Sequence, residues 1–124
     1  MYFVNFRWLI ENCIILIEPV GNFEPVVAVA AIAQFKHLLD ETPHRIHVVL
    51  NMSRVRTAVK NPRVVGSSLN RLRCHPNLCR MIFITSNPIS RIGSQLLGCF
   101  LGVNFSVVAT LDQALLVLDT AVQR

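Results

Sequence analysis

One long stretch of this chain has no acidic residues. Between Thr42 and Leu111 the sequence contains no Asp or Glu, yet it carries nine of the chain's twelve Lys and Arg residues. Because general acid–base pairs and Mg²⁺ or Ca²⁺ sites are built from carboxylates, this absence argues against both in the middle of the chain. The cationic stretch instead predicts attraction to an anion: a phosphorylated group, a nucleotide, an acidic protein surface or an anionic membrane.

Several familiar motifs are missing as well. The sequence has no GxGxxG, Walker A or GxSxG motif, so neither a nucleotide-binding loop nor a nucleophile elbow is indicated. No apolar run reaches the roughly 18–20 residues of a membrane-spanning helix, and the N-terminus lacks the pattern of a secretory signal peptide. We therefore expect a cytoplasmic protein that does not span a membrane, is not an enzyme, and needs neither a metal nor a cofactor.

The four cysteines do not form a recognisable metal-binding or redox motif. Cys74 and Cys79 are five residues apart, which is not the CxxC spacing of a zinc site or redox pair. His75 lies between them, so a Cys/His metal cluster remains an alternative. Since thiols stay reduced in the cytoplasm, we expect all four to be reduced and buried as small apolar side chains: Cys13, Cys74, Cys79 and Cys99.

Strand-like and helix-like segments alternate along the chain, which we treat as one domain of residues 1–124. A hairpin of two strands is predicted over Tyr2–Arg7 and Cys13–Glu18. Three further apolar segments predict buried strands: Ile46–Leu50, Met81–Thr85 and Phe105–Ala109. Helices are predicted from Asn22 to about Leu39, from Asn61 to about Arg73, from Ile89 to Leu101, and from Leu111 onwards. The order β-β-α-β-α-β-α-β-α predicts an α/β fold with a mixed, mainly parallel sheet.

Particular residues mark the ends of these helices. Asn61-Pro62 and Asn87-Pro88 each combine an N-cap residue with a first-turn proline. Thr110 and Gln113 form a capping box, and Gly102 suits the position that follows a helix. Three aromatic residues fall at positions that we expect in the core: Phe83, Phe100 and Phe105.

Four cations are concentrated between a central strand and the next predicted helix: Arg54, Arg56, Lys60 and Arg63. Ligands of α/β sheets gather at the carboxyl ends of the strands, and a helix start at Asn61 would add unpaired N–H groups there. We therefore predict a site for an acidic protein partner, or for a phosphate-bearing or lipid ligand. A solvated basic loop is the alternative. Aromatic residues do not interleave with these cations, so sequence-specific binding of nucleic acid is not expected.

Several short motifs, taken together, resemble the STAS-like family (sulfate transporter and anti-sigma factor antagonist domains). The segment Ile46–Val55, IHVVLNMSRV, resembles that family's third strand and the loop after it. The second half resembles a group of uncharacterised bacterial STAS-like proteins, through Leu72-Arg73-x-His75-Pro76-Asn77-Leu78, Asn87-Pro88, Leu101-Gly102-Val103-x-Phe105 and Thr110–Leu115. The resemblance extends from about Tyr2 to Val122. It implies a STAS-like sandwich with helices mostly on one face of the sheet.

The resemblance also implies a regulatory domain that binds another protein and is not an enzyme. In anti-sigma factor antagonists, a partner kinase phosphorylates the serine of an Asp-Ser pair at the start of the second helix. This chain has no Asp-Ser pair there, and Asn51 stands where the family has an acidic residue. We therefore expect no phosphorylation switch at that position, although Ser53 and Thr57 are nearby hydroxyls that could be modified. Because related folds bind nucleotides and apolar ligands, the alternative is a module that binds a small molecule, nucleotide or lipid.

The chain is rich in apolar residues for its size. Hydrophobic residues make up 52% of the sequence and charged residues 15%, and the mean hydropathy is +0.49. One domain of this length can hardly bury so much apolar surface, so the composition predicts a homodimer. Two segments are candidates for the contact: the first strand, with Tyr2, Val4 and Phe6, and the helix end Leu96–Val103.

Overall fold

The structure, a computed structural model, describes residues 3–22, 25–57 and 68–122. Within these ranges it describes every side chain except those at positions 3, 22, 25–27, 56, 57, 89, 90 and 120–122. The strands are β1 (Phe3–Ile10), β2 (Ile14–Asn22), β3 (Ile46–Asn51), β4 (Val55–Thr57), β5 (Leu78–Ile84) and β6 (Asn104–Val108). The helices are α1 (Pro25–Glu41), α2 (Pro88–Leu101) and α3 (Leu111–Val122). Within the described ranges, no helix is long and apolar enough to cross a membrane.

The strands form one mixed sheet in the order β1-β2-β3-β5-β6, with β4 paired to β2. β1 runs antiparallel to β2, and the other neighbouring pairs are parallel. This confirms the predicted α/β fold with a mainly parallel sheet. Most of the predicted helix from Asn61 to about Arg73 falls outside the described residues; residues 68–69 are helical, and the chain turns from 70 to 74.

Strand β2 continues past Pro19, where the sequence suggested that it ends. The parallel pairing of β2 with β3 stops at Ile17 opposite Leu50, so the missing N–H of Pro19 leaves no gap in that ladder. Pro19 faces only Val4 of β1. Beyond it, Gly21 adopts a φ of 94° beside an irregularity in the pairing of β2 with β4. The short strand β4 was not predicted, because its pairing is with a segment distant in sequence.

The two faces of the sheet are covered unequally. Helices α1 and α2 pack on one face, over a core that includes Ile15, Phe35, Leu39, Phe83 and Leu101. Helix α3 packs on the other face, over a smaller cluster that includes Leu16, Val49, Ile82, Ala114 and Leu118. Two of the three described helices therefore share one face.

Three helix ends have identifiable capping interactions. Two use the residues that the sequence indicated, and the third uses a residue from a loop distant in sequence. Helix α2 ends before Gly102, whose φ of 66° suits glycine. At α3, the Gln113 N–H donates to Thr110 Oγ1 at 3.2 Å, and the Gln113 side chain accepts from the Ala109 N–H at 2.9 Å. At the end of α1, the Asn77 side chain donates to the carbonyl oxygens of Leu39 and Thr42, at 2.8 and 3.0 Å.

The cysteines have free thiols, but the expectation that all four are buried is wrong. Cys13, Cys74 and Cys99 are exposed, and Cys79 is half-buried. Cys13 and Cys74 lie in turns, and Cys99 lies on the outer side of α2, so their positions decide exposure more than their apolar character does. Among the described residues, no group of three or more His, Cys, Asp or Glu side chains could hold a metal ion.

Candidate functional site

The structure places the first residues of the predicted site at the carboxyl end of β3. Ser53 and Arg54 are exposed in the turn between β3 and β4. The next two, Arg56 and Thr57, belong to the backbone of β4, and their side chains are outside the described set. The other predicted residues lie outside the described residues altogether: Lys60, Asn61 and Arg63. Arg54 is therefore the one predicted cation whose side chain the structure describes.

The amide side chain of Asn51 organises this turn. Its Oδ1 accepts hydrogen bonds from the Ser53 N–H at 3.1 Å and from the Ser53 hydroxyl at 2.6 Å. Its Nδ2 donates to Glu18 Oε2 at 3.3 Å. An amide can donate and accept at once, which a carboxylate at this position could not do. Asn51 therefore connects the turn after β3 to β2.

Glu18 shows that the loop is less free of acid than the sequence implied. It lies on β2, outside the acid-free stretch of the chain, but the parallel pairing of β2 with β3 brings its carboxylate within hydrogen-bonding distance of Asn51. An acid from outside the acid-free stretch therefore contacts the loop that follows β3. No ion pair joins Glu18 to a cation among the described residues. A single half-buried carboxylate bonded to an amide supplies no acid–base pair.

Backbone contacts fix the shape of the same loop. The Gly21 N–H donates to the Arg54 carbonyl at 3.1 Å, and the Val55 N–H donates to the Met52 carbonyl at 3.2 Å. The Met52 N–H donates to the carbonyl of Ile84 at the end of β5, at 2.9 Å. The turn is thus tied to β2 and β5, and it presents Ser53 and Arg54 outward on a fixed backbone.

A cavity of about 420 Å³ lies at the opposite end of the sheet, by the starts of β5 and β6. Its lining includes Arg45, Cys74, His75, Cys79 and Asn104. Both nitrogens of the His75 ring form hydrogen bonds within the protein. Nδ1 accepts from the Asn77 N–H at 3.1 Å, and Nε2 lies 2.8 Å from Asp40 Oδ1. With Nδ1 as the acceptor, the ring proton must be on Nε2, donated to Asp40.

Two basic side chains lie half-buried beside each other near these strand starts, at His47 on β3 and Arg80 on β5. Arg80 donates from Nη2 to Ser106 Oγ at 3.0 Å. Burial lowers the pKa of His47, and the nearby positive charges of Arg80 and Arg45 lower it further. His47 Nδ1 and Arg80 Nε have no hydrogen-bond partner among the described residues. A neutral imidazole is the form that suits this pair.

The outer side of α2 carries a row of exposed apolar side chains, which we call the outer row. It consists of Ile92, Leu96 and Phe100, exposed by 59%, 67% and 41%. Successive members are four residues apart, so they lie on one face of the helix. The prediction that Phe100 belongs to the core is wrong; Phe83 is fully buried and Phe105 partly buried, as predicted.

The opposite side of α2 explains why the outer row is left outside. The sheet-facing residues include Ser94, Gly98 and Leu101, all buried. A Cβ atom on Gly98 would lie 2.4 Å from the ring of Phe105 on β6, so the helix sits very close to the sheet. The sequence analysis named the helix end Leu96–Val103 as a candidate contact but did not identify the row from Ile92 to Phe100, because α2 has apolar residues on both sides. The spacing of Ser94 and Gly98 by four residues is the signal that could have identified the inner face.

Comparison with known proteins identifies the fold. A crystal structure of an uncharacterised protein of the DUF3478 family from Shewanella loihica PV-4, which has a SpoIIAA-like fold, superimposes with a TM-score of 0.66 at 9% sequence identity. The match covers 92% of this chain and 90% of that chain. No protein-family model and no curated protein matches the sequence. The chain therefore has a SpoIIAA-like fold, which is the STAS-like fold that its motifs implied. At this identity the similarity shows the fold alone.

Proposed function

We propose that this SpoIIAA-like domain is a cytoplasmic regulatory protein that binds an acidic surface of another protein and catalyses no reaction. The observation that carries the proposal is the outer row on α2, an exposed apolar patch inside the acid-free, basic half of the chain. Single exposed apolar residues are ordinary, but a continuous row on one helix face is typical of an interface.

The energetics favour covering the outer row. A partner that buries these three side chains removes most of their apolar surface from water. This burial stabilises the complex by about 25 cal/mol for each Å² of apolar surface. A surface helix normally has one polar side, whereas α2 places apolar residues outward as well as inward. A second surface that covers the outer side of such a helix lowers the free energy by removing this apolar surface from water.

The basic loop supports an acidic partner. Arg54 is exposed on a turn whose backbone is fixed by hydrogen bonds to neighbouring strands. Arg56, Lys60 and Arg63 follow Arg54 within nine residues of the sequence. In this proposal they attract carboxylates or phosphate groups, and Asn61 contributes hydrogen bonds to the same ligand. Arginine suits that task because its guanidinium can hold a carboxylate through two parallel hydrogen bonds.

The hydrogen bonds of Ser53 support a function without a phosphorylation switch. Its hydroxyl donates to Asn51, whose amide in turn donates to the carboxylate of Glu18. A phosphate on Ser53 would remove that donor and bring a second anion toward Glu18, which is unfavourable. We expect co-expression with a cognate kinase to leave Ser53 and Thr57 unmodified, as measured by intact mass. Stoichiometric phosphate on either residue would contradict this.

The proposal is tested with two variants on adjacent residues of α2. Leu96→Asp places a charge in the outer row, whereas Gln95→Asp places the same charge on an exposed position beside it. Some proteins from the source cells should be retained equally by wild type and by Gln95→Asp. With Leu96→Asp, the retained amount of these proteins should fall by about tenfold or more. Quantitative mass spectrometry of affinity eluates measures this. If the retained proteins are the same for all three forms, the proposal fails.

A ligand-binding module is the second candidate, and the cavity beside Arg45 is the observation that favours it. Its volume is within the range of small-molecule sites, and Arg45 provides a positive group at its wall. A panel of phosphate, nucleotides and fatty acids, tested by thermal shift, decides this alternative. A compound that stabilises wild type but not Arg45→Gln supports it, and no stabilisation by any compound argues against it.

A further inference from the structure

Two arginines stand at the two ends of the outer row. Arg91 immediately precedes Ile92 near the start of α2 and is exposed. Arg73 lies at the other end, where its guanidinium carbon is 5.7 Å from the centre of the Phe100 ring. Among the described residues, neither arginine forms an ion pair with a carboxylate. The outer row therefore has a positive charge at each end, and no carboxylate among the described residues pairs with either charge.

This charge arrangement argues against a second copy of the chain as the occupant of the outer row. If two copies paired their α2 helices antiparallel about a two-fold axis, Arg91 of each copy would approach Arg73 of the other. If the helices paired in parallel, each arginine would approach its own equivalent. In both cases cations face cations, which opposes self-association through this surface.

We infer that the outer row binds an amphipathic helix of a different protein, in which acidic residues flank a short apolar stripe. The inference rests on the proposed function and specifies the partner. From Ile92 to Phe100 the row extends about 12 Å along the helix axis, since each residue adds about 1.5 Å. A partner helix of about three turns covers it with apolar residues at every third or fourth position. Asp or Glu near each end of that stripe neutralises Arg73 and Arg91.

Selection from a random peptide library displayed on phage tests this inference directly. Wild-type protein is the target, and phage that also bind Leu96→Asp are removed in each round. We expect the enriched peptides to be amphipathic helices, with apolar residues three or four positions apart and acidic residues on both sides. For a synthetic peptide of the enriched sequence, Arg73→Gln combined with Arg91→Gln should weaken binding about fivefold and reduce its salt dependence.

The matched control is Arg7→Gln combined with Lys36→Gln, which removes the same net charge from β1 and α1. Peptide binding should be nearly unchanged in this control. If it weakens as much as in the Arg73 and Arg91 variant, net charge alone explains the attraction and the inference is overturned.

The remaining outcomes separate the inference from the proposed function. Enriched peptides that depend on Leu96 but are neutral or basic overturn the inference and leave the proposed function standing. A selection that enriches no Leu96-dependent peptide counts against both. A wild-type dimer that becomes monomeric with Leu96→Asp, measured by light scattering, would show that a second copy occupies the row and would also overturn the inference.

Discussion

At the scale of single residues, Asn51 is the clearest link between sequence and function. The neighbouring carboxylate of Glu18 needs a donor, and the Ser53 N–H and hydroxyl need an acceptor. Only a side chain that donates and accepts satisfies all three groups, and asparagine does so. Asn51 therefore closes the loop through the hydrogen bonds of an uncharged side chain, where a carboxylate would add a negative charge beside Glu18.

This role predicts that Asn51→Asp destabilises the protein although the two side chains have nearly the same shape. At pH 7 a carboxylate at this position would face Glu18 without a donor between them, and we expect a loss of about 1–2 kcal/mol in the free energy of unfolding. Urea unfolding measures it. The loss should shrink below about pH 4, where carboxyl groups take up protons. A loss that is the same at pH 7 and at about pH 3 would contradict the electrostatic explanation.

His47 predicts a pH dependence of stability. Its pKa lies below the ordinary value of 6.5, chiefly because of burial and also because of Arg80 and Arg45. Below pH 6.5 His47 therefore takes up a proton in the unfolded chain but remains neutral in the folded chain. The free energy of unfolding consequently falls as the pH falls. Urea unfolding at about pH 7.5 and pH 5.5 should show a smaller difference for His47→Gln than for wild type.

The control for this experiment is His44→Gln, which changes an exposed histidine before β3 whose ring contacts the backbone carbonyl of Arg45. It should retain the pH dependence of the wild type. Equal slopes for wild type and His47→Gln would show that other groups cause the fall in stability.

At the scale of elements, the sequence predicted those parts that depend on local patterns. The buried strands at Ile46–Leu50 and Met81–Thr85, the helix end at Gly102 and the capping box at Thr110 each depend on a few neighbouring residues, and the structure has all of them. Residues Leu78–Arg80 at the start of β5 and the whole of β4 depend on partners far away in sequence, and they were missed. The same limit applies to Glu18, which reaches the loop only through strand pairing.

The packing of α2 on β6 predicts opposite effects for two glycines of the same helix. Gly98→Ala adds a methyl group 2.4 Å from the Phe105 ring, so we expect a loss of about 1–3 kcal/mol despite the better helix propensity of alanine. At Gly93 an added methyl group would have no atom within 4 Å, so Gly93→Ala should stabilise the protein by about 0.5–1 kcal/mol.

Thermal or urea unfolding of these two variants checks the packing. If Gly98→Ala were as stable as Gly93→Ala, the close contact between α2 and Phe105 would be wrong. The inner and outer faces assigned to α2 would then have to be exchanged or rotated, and the outer row would lose its structural basis.

At the scale of the whole molecule, the acid-free stretch determines which basic side chains have acidic partners. The described contacts between carboxylates and basic side chains involve only acids of α1: Asp40 with Lys36 and His75, and Glu41 with His37. The described arginines of the second half make no such contact with a described carboxylate, and the outer row lies in the same half of the chain. Within the described residues, the outer row therefore lies in a part of the chain whose arginines have no carboxylate partner.

The last prediction concerns the homodimer, which the composition predicts and which the outer row does not explain. Strand β1 pairs only with β2, so its other edge has backbone groups available to a second copy within the described part of the sheet. We therefore expect light scattering at about 100 μM to give a dimeric mass. Because the contact is expected at β1, the mass should be unchanged in Leu96→Asp and in the Arg73 and Arg91 variant. A monomeric mass for wild type at that concentration would contradict the prediction.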